Sequence, residues 1–164
     1  MIELISKSVE ETKEIACAIG SKAPPGTVFV LSGELGAGKT AFAQGLATGL
    51  GITERVASPT FNIAQTYDSG RLPFAHLDAY RLEGSNIYEM GLEEYWQQNG
   101  VTAIEWGEVL SPILPQDAIF ISLFNEQNID KHEQTSACAN WRRIVFYVVM
   151  DKFPWLEEVI NCIS

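Results

Sequence analysis

The sequence predicts an α/β fold, a three-layer arrangement in which helices flank a sheet of mixed parallel and antiparallel strands. Three observations carry this expectation. A continuous apolar run, Thr27-Val28-Phe29-Val30-Leu31-Ser32, has the composition of a strand buried on both faces. A glycine-rich stretch follows it, and behind that Phe42, Leu46 and Leu50 recur every four residues beside Ala43 and Ala47, the stripe of a helix. Other β-prone runs then alternate with helical segments, the order that builds a sheet with helices packed on it. At 164 residues the chain fits a single domain, 1–164, long enough to bury about two-thirds of its unfolded surface.

The elements follow in order. Ile2-Glu3-Leu4-Ile5 reads as a short first strand. Ser8-Val9-Glu10-Glu11 makes an S-x-x-E capping box, and Val9, Thr12, Ile15, Ala16 and Ile19 continue it with helical spacing. Ala23-Pro24-Pro25-Gly26 breaks that helix, and Gly51 stops the one behind the glycine loop. Strand-like runs at 62–67 and 72–79 flank Asp68-Ser69-Gly70-Arg71, a turn composition suited to a hairpin. Ile87, Met90, Leu92, Tyr95 and Trp96 give helical character interrupted at Gly91. Residues 101–106 form another strand run, with Pro112 and Pro115 punctuating the loop beyond. Residues 118–124 and 144–150 are strongly β-prone, and the polar, aperiodic stretch 125–140 between them is expected to be a mobile connection or hairpin loop. Trp155, Leu156, Val159, Ile160 and Ile163 outline an amphipathic helix in the tail, 151–164.

Composition narrows the function. A hydrophobic content of 46% with 20% charged residues describes an ordinary globular protein, and no apolar run approaches a membrane span. The opening Met-Ile-Glu-Leu-Ile lacks a basic n-region, and Cys17, Cys138 and Cys162 show no metal-like pairing, so a reducing cytoplasm is expected. The formal net charge of −10 argues against a chain that grips DNA or RNA by itself, because displacing phosphate counterions takes a basic stripe. A link to RNA is therefore expected only through a partner.

The chemistry gathers at Gly33-Glu34-Leu35-Gly36-Ala37-Gly38-Lys39-Thr40, which fits G-x-x-x-x-G-K-[ST] between a strand and a helix. Glycines let the backbone approach phosphate oxygens, and successive N–H groups form an anion nest at the positive end of the helix. Lys39 is placed to reach β and γ phosphates, and Thr40 offers a hydroxyl to Mg²⁺. The chain is thus read as binding a nucleoside triphosphate. Two acids closing apolar runs are candidates for the metal, since ligands on such sheets lie beyond the carboxyl ends of the strands. Period-two geometry puts His76, Asp78 and Tyr80 on one face, with Asp78 as the metal-linked carboxylate and His76 as a hydrogen-bonded structural residue. Glu105 would orient the attacking water or bind Mg²⁺ through water. Trp106 reads as a core or rim aromatic, with a base-stacking platform as the alternative, and Ser58-Pro59-Thr60 as a turn.

Taken together, the glycine loop, Ser58-Pro-Thr-Phe61, His76-Leu-Asp-Ala-Tyr-Arg81 and Ile104-Glu-Trp106 occur in the order and spacing of the TsaE (YjeE-type) family, which the chain resembles over residues 1–124. The resemblance implies a P-loop NTPase-type fold and an ATPase needed for threonylcarbamoyladenosine at position 37 of tRNAs. It implies that Gly36, Ala37, Gly38, Lys39, Thr40 and Ala41 hold the phosphates of ATP, that Thr40 and Glu105 serve Mg²⁺, and that Asp78 is linked to the metal. Thr60 would be a switch-like hydroxyl. Val9, Thr12 and Trp106 would lie near the base or the partner surface, and a late-strand basic residue, Arg142 or Arg143, near the nucleotide. The implied partner is a heterodimer of the threonylcarbamoyl transferase and its paralogue (TsaD/TsaB-type), reset by ATP hydrolysis, with tRNA met only indirectly.

Other nucleotide users fit less well. A GTPase would need Asn-Lys-x-Asp after a later strand, a tetrapeptide the sequence lacks. A small-molecule kinase of the P-loop class brings several arginines to the migrating phosphoryl group, whereas only Arg55, Arg71, Arg81, Arg142 and Arg143 occur here. A nucleotide-dependent assembly factor with negligible turnover overlaps the favoured reading.

Overall fold

The computed structural model describes residues 1–59, 62–126 and 140–163. Seven strands, β1 (Ile2–Ser6), β2 (Val28–Ser32), β3 (Ala64–Tyr67), β4 (Phe74–Asp78), β5 (Val101–Glu105), β6 (Ile119–Asn125) and β7 (Arg142–Tyr147), form one sheet in the order β1-β7-β6-β2-β5-β4-β3. The central four, β6, β2, β5 and β4, run parallel. Antiparallel strands complete both sides, β3 beside β4 and the pair β7 and β1 beyond β6. The mixed sheet expected from the sequence is present, with the apolar run 28–31 as its buried centre.

Along β2 the pleat feeds two cores. Phe29 and Leu31 face the larger one, shared with helices α1 (Val9–Lys22), α2 (Lys39–Gly49) and α4 (Pro154–Ile163). Val28 and Val30 face the other, which is roofed by the one-turn helix α3 (Glu94–Gln97) and by single 3₁₀ turns at Tyr80–Leu82, Ile87–Glu89 and Gly107–Leu110. The third layer is therefore built from short pieces. Gly84 and Gly91 take positive φ, +79° and +64°, and prevent a continuous helix there. Leu82, Ile87, Leu92, Trp96 and Leu110 cover the sheet from separate turns instead.

Helix α1 starts as its capping box predicts. Ser8 Oγ accepts from the Glu11 N–H at 3.0 Å, while Glu11 reaches back to accept from the Lys7 N–H at 2.6 Å. Helices α1 and α2 then approach through glycine. A Cβ built on Gly45 would lie 2.4 Å from Lys13 O, and one on Gly49 would lie 2.1 Å from Cys17 O. Such proximity allows α2 to lie flat over β2 and aims its first turn at the sheet's carboxyl edge.

Three expectations need correction. The late strand does not span 144–150: β7 begins at Arg142 and ends at Tyr147, because its register is set by Ser6↔Arg142 on one side and Asn125↔Arg142 on the other, and a 3₁₀ turn starts at Met150. Tyr80 does not continue the face of His76 and Asp78, since β4 ends at Asp78 and Tyr80 opens a 3₁₀ turn. The connection proposed at 125–140 begins inside β6, which keeps Asn125, and residues 127–139 lie outside the described residues. The tail forms α4 as expected, with Leu156, Val159 and Ile160 buried. No described helix is long and apolar enough to cross a membrane.

Gly49→Val should lower the unfolding free energy in urea by about 1–3 kcal/mol, since the helices must separate to admit the branched side chain. A midpoint equal to that of the parent would show that the α1–α2 contact is not load-sensitive at this position.

Candidate nucleotide site at the glycine loop

Strand β2 ends at Ser32 and α2 begins at Lys39, so six residues reverse the chain at the carboxyl edge of the sheet. Gly33, Gly36 and Gly38 take φ values of +141°, +80° and +108°. Gly38 is the N-cap, and no side chain caps α2. The N–H groups at the start of α2 precede the first intrahelical bond, from the Phe42 N–H to Gly38 O at 2.9 Å, and are left for an outside acceptor.

Lys39 is buried, at 4% exposure, and its ammonium is held by backbone oxygens of the loop. Nζ donates to Gly33 O at 2.6 Å and to Glu34 O at 2.9 Å, and it sits 4.0 Å from the centroid of the Trp106 ring. The bonds to Gly33 and Glu34 clasp the start of the loop to its end. Burial pushes the Lys39 pKa below the ordinary 10.5, while the nearby carboxylates of Glu105, Asp78 and Glu108 oppose that shift.

Thr40, one residue on, donates from Oγ1 to Glu105 Oε1 at 2.9 Å. The same oxygen lies 2.8 Å from His76 Nε2. Glu105 is 4% exposed and His76 fully buried. Parallel pairing of β4 with β5 sets Asp78 opposite Glu105, so two carboxylates end neighbouring strands beside the loop. Asp78 Oδ1 accepts from the Tyr80 N–H at 3.0 Å, and Ser58 Oγ approaches Oδ2 at 3.5 Å.

Arg142 and Arg143 part company. A Cβ on Gly38 would meet Arg142 Nε at 3.0 Å and Cδ at 3.1 Å, so this side chain lies against the loop. Its buried Nε has no hydrogen-bond partner among the described residues, whereas its Nη1 donates to Asn140 O at 2.6 Å. Arg143 alternates to the other face, where it pairs with Glu126 at 2.8 Å and Glu3 at 3.6 Å.

These features suit a phosphate chain carrying a divalent cation. The uncapped helix start and the left-handed Gly38 provide anion-binding N–H groups, and the unpartnered Arg142 Nε adds a donor beside them. Thr40 and Glu105 bring two oxygens together, in keeping with Mg²⁺, which takes one or two protein ligands plus phosphate and water. Among the described residues no cluster of three or more His, Cys, Asp or Glu could hold a metal ion by itself.

A family model described as "Threonylcarbamoyl adenosine biosynthesis protein TsaE" matches residues 6–135. The chain belongs to the TsaE family. It is 47% identical over 152 residues to the tRNA threonylcarbamoyladenosine biosynthesis protein TsaE of Bacillus subtilis, covering 93% of this chain and 89% of that one. It is 40% identical over 127 residues to the protein of the same name from a Nostoc species, covering 75% and 78%. Among solved structures, the crystal structure of YdiB from Bacillus subtilis superposes with a TM-score of 0.79 and 34% identity, over 99% of this chain and 96% of that one. The P-loop NTPase-type fold read from the sequence is that of this TsaE-family chain.

Of the residues singled out from the sequence, Gly36, Ala37, Gly38, Lys39, Thr40 and Ala41 lie on the loop and the first turn of α2, and Asp78, Glu105 and Trp106 flank it. Trp106 itself adopts φ +58°, uncommon outside glycine, and its ring packs on Tyr80 at 5.2 Å as well as over Lys39. It therefore sits on the β5 side of β2. Val9 and Thr12 belong to α1, which follows β1, and Ser6 at the end of β1 pairs with Arg142. Thr12 is fully buried, with its hydroxyl on Ser6 Oγ and Ser8 O, and Val9 keeps the accessible surface of the pair. Thr60 lies outside the described residues. Sequence reasoning treats His76 as structural and misses its bond to Glu105; its one signal was the two-residue spacing from Asp78, which places both on one strand face.

Lys39 gives a pH signature with a definite sign. Between its lowered native value and 10.5 the unfolded chain holds a proton that the native chain has shed, so raising the pH through this window favours the native state. Urea unfolding followed upward from about pH 8 should show the parent gaining stability relative to Lys39→Met, which lacks the titrating group. A parent-minus-variant difference that is flat or falls with pH would contradict the burial argument.

Proposed function

We propose that this TsaE-family chain is a Mg²⁺-dependent ATPase that serves threonylcarbamoyladenosine formation at position 37 of tRNA, acting in the cytoplasm. Its relatives' naming as tRNA threonylcarbamoyladenosine biosynthesis proteins supports the pathway. The observation that carries the chemistry is the meeting of the Lys39–Thr40 turn with Glu105 at the tip of β5. In this reading the loop N–H groups and Lys39 bind the phosphates of ATP, with Arg142 beside Gly38. Thr40 and Glu105 hold Mg²⁺, which would neutralise charge on the phosphates. Asp78 acts as the carboxylate linked to that metal, and Thr60 as the switch hydroxyl. Val9 lies towards the base, and Trp106 borders the terminal phosphate through Lys39.

Phosphoryl transfer to water requires positive charge where negative charge spreads. Arg71 is committed to Gly20 O and Ala23 O, both at 2.7 Å, and Arg143 to its two glutamates. The chain alone is proposed to be a slow hydrolase, with further positive charge supplied by a partner. The proposed partner is the heterodimer of the threonylcarbamoyl transferase and its paralogue, which would stimulate turnover and be reset by it, and the net charge of −10 agrees with tRNA being met through that partner.

Steady-state ATP hydrolysis with and without the heterodimer tests this. Turnover should rise at least tenfold on adding the partner, Lys39→Ala should abolish Mg·ATP binding by calorimetry, and Glu105→Ala should cut turnover about 100-fold. The proposal fails if the heterodimer leaves the rate unchanged, or if the purified chain phosphorylates a metabolite instead.

A further inference from the structure

The arrangement around Glu105 poses an electrostatic problem. A buried carboxylate and a buried ammonium share the site, and Glu105 is the foremost of the charges that counter the effect of burial on Lys39. Left to themselves, such groups close into an ion pair, and a closed pair would withdraw both from any ligand. Here they stay apart. Lys39 Nζ turns to Gly33 O and Glu34 O, and no ion pair links it to Glu105 among the described residues.

What restrains Glu105 is visible in its hydrogen bonds. Oε1 takes both contacts, from Thr40 Oγ1 at 2.9 Å and from His76 Nε2 at 2.8 Å. A carboxylate only accepts, so Nε2–H donates and Nδ1 is the atom left buried without a partner among the described residues. An orphaned polar atom costs stability, yet the ring is held in place by full burial and by stacking on Phe74, with centroids 6.2 Å apart. His76 stands on β4, beside β5 and away from the loop, so its pull on Oε1 draws the carboxylate towards the sheet.

We infer that His76 is a positioning residue, which pins Glu105 Oε1 to the sheet so that the Glu105 carboxylate does not pair with Lys39 and both remain available to Mg·ATP. This rests on the nucleotide reading proposed above and adds a role to a side chain that touches neither phosphate nor metal. Without the His76 bond, Glu105 is held by Thr40 alone and turns towards Lys39, and nucleotide must break that pair before it binds.

Two polar substitutions separate positioning from packing. Gln places its amide nitrogen near the position of Nε2, and Asn places its own near Nδ1, so both perturb the core while only Gln retains a donor to Glu105. Calorimetric Mg·ATP affinity and thermal midpoints would be measured for the parent, His76→Gln, His76→Asn, Glu105→Gln and the double variant His76→Asn/Glu105→Gln. His76→Gln should bind within about threefold of the parent, whereas His76→Asn should bind about tenfold more weakly, a loss of about 1.4 kcal/mol. In the Glu105→Gln background, where residue 105 has no charge to pair with Lys39, His76→Asn should cause no further loss. Equal affinities for the Gln and Asn variants, or a His76→Asn loss that persists in that background, would overturn the inference. A purely structural role would instead lower the midpoints of both variants and give additive losses. Absence of Mg·ATP binding by the parent would refute the nucleotide reading itself, a separate outcome.

Discussion

The hydrogen bond from Thr40 Oγ1 to Glu105 Oε1 ties the first turn of α2 to the tip of β5, and much of the molecule's layout serves to make that bond possible. Strand β2 must stop level with β5, which parallel pairing of Leu31 with Glu105 ensures. Helix α2 must start within six residues of β2, which the left-handed Gly38 permits. The helix must also lie close to the sheet, and the glycine contacts between α1 and α2 give it room to do so. A failure in any of these would move Thr40 relative to Glu105 by more than a hydrogen bond tolerates.

The sheet is unequal on its two sides, and the inequality follows from the site. Long helices α1, α2 and α4 cover one face, where a continuous apolar stripe is what rigid support requires. Short turns cover the other, and several of them, at Tyr80–Leu82 and Gly107–Leu110, directly follow the strands that end in Asp78 and Glu105. The chain leaves each acid in a tight turn, with the Asp78 carboxylate accepting from the Tyr80 N–H and Trp106 taking a positive φ. Residues held in sparsely populated backbone regions concentrate at functional sites because the surrounding packing must determine them.

Much of this was legible in the sequence, for reasons that differ from residue to residue. The glycine loop was readable because its demands are local: positive φ, absent Cβ atoms and a helix start within one short stretch. Asp78 and Glu105 were readable because each ends an apolar run. The choice between Arg142 and Arg143 was not, since adjacent strand residues face opposite ways and the register of β7 is fixed by β1 and β6, both distant in sequence. The contact of His76 with Glu105 was hidden likewise, because it depends on which strand becomes the neighbour of β4. The conformation of Trp106 runs against its residue type, and the broken helices of the third layer left only a weak period to read.

The strand order also bears on how the polypeptide is made. Strand β7 is inserted between β6 and β1, and β1 pairs with β7 alone. Strand β1 therefore has no edge to join until β7 is present, whereas the parallel centre can assemble without it. Arg142, which walls the loop beside Gly38, arrives with that last strand. A chain that stopped short of β7 would carry the glycine loop but lack the wall that Arg142 sets beside Gly38.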